Sequence, residues 1–128
     1  MIACLVDTDI LIDASRGIVE AIEFLKDQEG RGDLAVSVIT QMELLTGCRD
    51  KAELRVVNSF LRRFEVVPLD ELISTLAVKF VARHRLSHGL QIPDALIAAT
   101  ASARGYWLAS KNRKHYHFIR GLKLLAYR

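Results

Sequence analysis

Residues 95–128 of this 128-residue chain contain no Asp or Glu, although seven Lys and Arg fall there. The first 94 residues carry 15 acids against 11 Lys and Arg. A modest net charge of +3 therefore hides an acidic body and a basic last quarter. Such asymmetry points to an anionic partner, although a plainly solvated basic face would give the same composition. Cysteine is scarce too. Cys4 and Cys48 both sit among apolar residues and read as reduced core thiols rather than a disulfide or metal pair. No apolar run is long enough to span a bilayer, and "MIACLVDTD" lacks the basic leader of a signal peptide. The expected location is the cytoplasm, with no membrane partner. Internal repeats, low-complexity tracts and linkers are missing as well, so residues 1–128 are expected to form one domain around one substantial core.

What is present alternates between strand and helix signals. "IACLV" (2–6), "LAVSVI" (34–39), "EVVPL" (65–69) and "YWLAS" (106–110) read as buried strands, and "LKLLAY" (122–127) as a fifth at an edge. Between them lie "TDILIDAS", capped by Thr8 or Asp9, and "IVEAIEFLKDQ" (18–28). Thr40 and Glu43 match a capping box, and 52–64 is amphipathic through Leu54, Val57, Phe60, Leu61 and Phe64. Asp70 caps a long helix to about His88, and Pro93 opens another that Gly105 closes. The expected architecture is α/β, a largely parallel sheet of four to five strands with helices on both faces.

Ligands bind such sheets at the carboxyl ends of the strands. Asp7 ends the first strand there, followed by Thr8 and Asp9, and Glu43 lies one helical turn beyond the second. Ser110 and Asn112 follow the fourth strand, and Asp94 opens the helix that leads into it. Singly, each acid reads as a helix cap or dipole partner. Together, three carboxylates without intervening cations would repel and raise one another's pKa values. A hard divalent cation, Mg2+ or Mn2+, removes that conflict and activates water for phosphoryl chemistry. "SKNRKHYHF" (110–118) would then be its basic edge, with Lys111, Arg113, Lys114 and Arg120 as phosphate contacts.

Four segments, "LVDTDILID" (5–13), "SVITQMELLTG" (37–47), "IPDALIAATA" (92–101) and "LASKNRKHYHF" (108–118), resemble the four motifs of PIN domains, and more narrowly VapC-type ribonuclease toxins. The resemblance implies a PIN-like fold and a Mg2+- or Mn2+-dependent endoribonuclease. Asp7, Glu43 and Asp94 would be its catalytic acids and metal ligands, with Thr8, Asp9, Ser110, Asn112 and His115 around them. It further implies an RNA substrate, a cognate VapB-type antitoxin and a homodimer, with the 52–64 stripe shared between core and protein contacts. His115 falls where many members carry Asp, and Tyr116 where Phe is common. A histidine there favours one tightly held ion over two, and His115 is expected to contact RNA phosphate, hold a water or orient Asn112.

Other readings compete. Asp-Thr-Asp after a strand also suits a phosphatase with Asp7 as nucleophile and Asp9 as acid/base, although no acid follows Asp94 to complete it. A non-catalytic RNA- or protein-binding module would need the acids only as caps. His84 and His88, flanked by arginines, read as a solvent-facing pair, Asp13 as either surface or site-facing, and Trp107 as core.

Overall fold

Apolar side chains alternate between the two faces of the central strands, and that alternation builds two cores. The protein is described here by a computed structural model covering residues 1–127. Strand β1 (Ile2–Val6) sends Cys4 and Val6 to one face and Leu5 to the other. Strand β2 (Asp33–Ser37) does the same with Leu34 and Val36 against Ala35. Both faces must therefore be covered, as they are in parallel sheets. Helices α1 (Thr8–Ser15), α2 (Val19–Glu29) and α4 (Lys51–Leu61) supply Ile10, Leu11, Leu25 and Leu61 to the first core. Helices α5 (Glu71–His88) and α6 (Ile92–Arg104) supply Ile73, Ala95 and Ile97 to the second. Four fully buried alanines, Ala95, Ala98, Ala99 and Ala101, let α6 lie close to its neighbours. Gly105 then ends α6 in the left-handed conformation, φ 69°, which a Cβ would strain.

All five strands are parallel, in the order β3 (Phe64–Val67), β2, β1, β4 (Leu108–Ala109), β5 (Leu124–Leu125). The chain walks outward from β1 to β3, then crosses back to place β4 on the other side of β1. The carboxyl ends of β1 and β4 thus flank the point where the winding direction reverses, the crevice in which open α/β sheets hold ligands.

Five expectations give way. The run 34–39 is not all strand: β2 stops at Ser37, and α3 (Val38–Thr46) begins at once. Ser37 is its N-cap, accepting from Ile39 N at 3.0 Å, so the capping box on Thr40 and Glu43 does not form and both side chains are left for other work. A short apolar run has no period that separates strand from buried helix, and one interrupting serine decided this case. Likewise Asp7, not Thr8 or Asp9, caps α1, accepting from Thr8 N at 2.8 Å. Trp107 is not core: it is 45% exposed, with Lys123 Nζ 5.7 Å from its ring centroid. Strands 106–110 and 122–127 shrink to two residues each, β5 at the edge as expected. Ser37→Ala is expected to lower stability by about 1–2 kcal/mol in urea unfolding, since it removes a buried cap.

Candidate active site

Asp7 sits at the reversal point, where β1 gives way to α1, and is only 6% exposed. Its Oδ1 accepts from Thr8 N, and its Oδ2 accepts from Ser110 Oγ at 2.7 Å and from the Tyr116 hydroxyl at 3.0 Å. The same hydroxyl lies 3.2 Å from Asp94 Oδ1, in the first turn of α6. One phenol therefore stands between two carboxylates but has one proton to give. Burial, and then the charge of Asp9, push Asp7 up to about 7, while the Ser110, Thr8 and Tyr116 hydrogen bonds pull the other way. The bare site thus holds a proton at Asp7 well above the usual carboxylate range. Burial and the two carboxylates also drive Tyr116 upward, so the phenol stays neutral.

Thr8 and Glu43 form the next part. The Thr8 hydroxyl donates to Glu43 Oε1 at 2.6 Å and lies 2.9 Å from the buried Thr40 hydroxyl. The residues that failed to make a capping box have instead joined α3 to α1. Asp9 serves the loop after β4: its Oδ2 accepts from Ser110 Oγ, Lys111 N, Asn112 N and Asn112 Nδ2 at 2.9–3.3 Å. Its Oδ1 is buried with no partner, and burial raises the pKa of this acid too. His115, in the 3-10 turn Arg113–His115, has Nδ1 3.5 Å from Asp94 Oδ2, so it faces an acid rather than Asn112. Lys111 is tied to Asp13 at 2.9 Å, whereas Arg113, Lys114 and Arg120 are exposed and make no ion pair among the described residues.

The chain therefore brings Asp7, Thr8, Asp9, Ser110, Asn112, Asp94 and His115 together, with Glu43 joined through Thr8. Tyr116 is the member whose role the sequence did not disclose, and its signal was a hydroxyl at a place where a buried ring would do. The donor set fits a hard, oxygen-preferring ion in kind. Carboxylates dominate, no Lys or Arg side chain is paired with Asp7 or Asp94 among the described residues, and one carboxylate oxygen is orphaned. Among those residues, however, no three His, Cys, Asp or Glu side chains form a closed group around an ion. Mg2+ does not need one, since it is commonly held by one or two carboxylates with waters completing its shell. Tyr116→Phe is expected to lower the stability of the metal-free protein by about 1–3 kcal/mol in urea unfolding, because two carboxylates lose their shared donor. A change within error would show that the hydroxyl does not hold them.

The family model of the PIN domain matches residues 4–120. The chain belongs to the PIN-domain family. Its relatives within that family include VapC proteins. Ribonuclease VapC10 of Mycobacterium tuberculosis is 40% identical over 120 residues, covering 93% of this chain and 90% of that protein. Ribonuclease VapC1 of Methanocaldococcus jannaschii is 34% identical over 124 residues, covering 94% and 85%. Among solved structures, a toxin–antitoxin complex from Klebsiella pneumoniae superposes with a TM-score of 0.80 at 29% identity over 98% of both chains. VapBC2 of Rickettsia felis, bound to a DNA fragment from its promoter, shares the fold with a TM-score of 0.83 at 24% identity. The PIN fold expected from the four motifs is thus the fold observed, and its acids stand where β1, α3 and α6 meet the carboxyl rim.

Proposed function

We propose that this PIN domain is a Mg2+-dependent endoribonuclease, with Mn2+ able to replace Mg2+, and the toxin of a VapBC pair. The observation that carries the reading is the pair Asp7 and Asp94, drawn from separate elements to one shared hydroxyl beside a basic loop. Asp7, Asp94 and Glu43 would hold the ion, which when bound supplies an activated water and charge stabilisation for phosphodiester cleavage. The protein's own groups do the rest. Ser110 and Thr8 fix the Asp7 carboxylate, Thr8 aims Glu43, and Asp9 pins the loop that carries Asn112. Arg113, Lys114 and Arg120 are free to meet RNA phosphates, while Lys111 is engaged with Asp13. The kinship to VapC proteins and to toxin–antitoxin complexes supports a VapB-type antitoxin as partner. A groove between α1, α3 and α4, lined by Leu11, Leu44, Val56, Val57 and Phe60, adjoins Glu43 and suits an apolar antitoxin helix. A homodimer stays part of the proposal on the same kinship.

The phosphatase reading loses support from Asp9, whose Oδ2 holds the loop after β4 through four hydrogen bonds and whose Oδ1 is buried away from solvent. The test is cleavage of a structured RNA by antitoxin-free protein in Mg2+ or Mn2+ against chelator. Equal cleavage in chelator sinks the metal-dependent reading, and no cleavage in any condition leaves a binding module.

A further inference from the structure

Beyond the carboxylates, the rim carries an ordered row of rings that no step above uses. His88 ends α5 and is exposed, and its ring lies flat on Phe118, with centroids 4.1 Å apart and planes 12° from parallel. Phe118 is half-buried and packs against the second core, which gives the stack a fixed floor. His84, one helical turn earlier, lies 4.9 Å from the same phenyl ring. The Ser87 hydroxyl is 2.8 Å from His88 Nδ1, which sets the rotation of the imidazole. Arg85 donates to the Gly89 and Leu90 carbonyls, tying the end of α5 to the turn that leads into α6 and Asp94. A surface imidazole held by a stack and a hydroxyl has given up rotamer freedom that a merely solvated histidine would keep.

Its position gives that order a use. Phe118 is two residues from Tyr116, a chain reach of at most about 7 Å, and Tyr116 touches both Asp7 and Asp94. The exposed cations Arg113, Lys114 and Arg120 lie on the same acid-free segment. A flat ring beside free cations, next to a phosphodiester-cleaving centre, matches what unpaired nucleotides need: a face to stack on and charges for the backbone. We propose that the His88–Phe118 stack is the platform for an unpaired base adjoining the cleaved bond, which makes His88 a positioning residue for the RNA. The inference rests on the ribonuclease reading and extends it to the side chains that seat the RNA.

The experiment uses antitoxin-free protein carrying Asp7→Asn, so that bound RNA is not cut. Its probes are a single-stranded oligoribonucleotide containing 2-aminopurine and the same strand in a duplex. Stacking on the platform should quench the fluorescent base, and the single strand should bind more tightly than the duplex. His88→Ala should weaken single-strand binding by roughly 5- to 100-fold and relieve the quench, and His88→Tyr should restore both. Thermal unfolding of each variant confirms that the fold is kept. If His88→Ala and Phe118→Leu leave binding and quenching unchanged, the platform is refuted and the imidazole only covers a phenyl ring. If these variants weaken a copurifying antitoxin and not RNA, the face belongs to protein and the proposal is again overturned. If the parent binds neither RNA form, the ribonuclease reading falls with it.

Discussion

Asp7→Asn is expected to do two opposite things at once: reduce RNA cleavage by at least about 100- to 1000-fold and raise the melting temperature of the metal-free protein at pH 8. The loss follows from removing the carboxylate that Ser110, Thr8 and Tyr116 converge on. The gain follows from linkage. Burial and Asp9 raise the Asp7 pKa from 3.8 to about 7 in the folded protein, so the folded state binds this proton more tightly than the unfolded chain. Stability from this group is therefore greatest below pH 4 and is lost as the pH rises towards 7. Above that, the folded protein carries an ionised, buried acid at a cost on the order of 2–4 kcal/mol. An asparagine keeps the shape and never ionises, which should raise the melting temperature by roughly 5–15 °C at pH 8. The gap between variant and parent should close as the pH falls to 4. A variant no more stable than the parent at pH 8 would mean that Asp7 is not strained by ionisation.

Adding Mg2+ or Mn2+ should recover the same stability by another route, with a pH dependence of its own. An ion held by Asp7 must displace the proton there, so metal and proton compete. At pH 8 the proton is already gone, and an ion at about 100 times its dissociation constant stabilises by about 2.7 kcal/mol. At pH 5, two units below the raised pKa, a single competing proton weakens apparent affinity about 100-fold and removes most of that gain. Thermal shifts at the two pH values test this, and calorimetry in buffers of different ionisation enthalpy would show the proton released. Asp7→Asn and Asp94→Asn should show no shift at either pH. A shift of the same size at pH 5 and pH 8 would place the ion somewhere other than Asp7.

Much of this was legible in the chain because strong local signals marked it. "IACLV" running straight into Asp-Thr-Asp fixed β1 and its rim, and Pro93 with Gly105 bounded α6 and so placed Asp94. Where two local signals conflicted, the reading slipped. Thr40-x-x-Glu43 has the letters of a capping box, yet Ser37 three residues earlier caps the helix, and Thr8 from another element claims both side chains. Tertiary partners of that kind leave no trace in spacing. The same holds for Tyr116 between its two carboxylates, and for His88, which reads as a solvent-facing histidine until Phe118 is found beneath it. Trp107 lies outside the core because only Leu108 and Ala109 of the 106–110 segment enter the ladder.

The crossing of the chain back past β1 has a consequence in time. Asp7 is bound by Ser110, 103 residues later, and by Tyr116, 109 residues later. The strand that brings them, β4, has only two residues and rests on β1 and on β5, near the end of the chain. On a ribosome, β1, β2 and β3 with their helices emerge and can pack while Asp7 still lacks every side-chain partner from the last quarter. The centre waits on loop closures of 103 and 109 residues, and contacts so far apart in sequence are slow to make. A centre wired in this order stays unmade until β4 and the loop behind it have emerged and closed on β1.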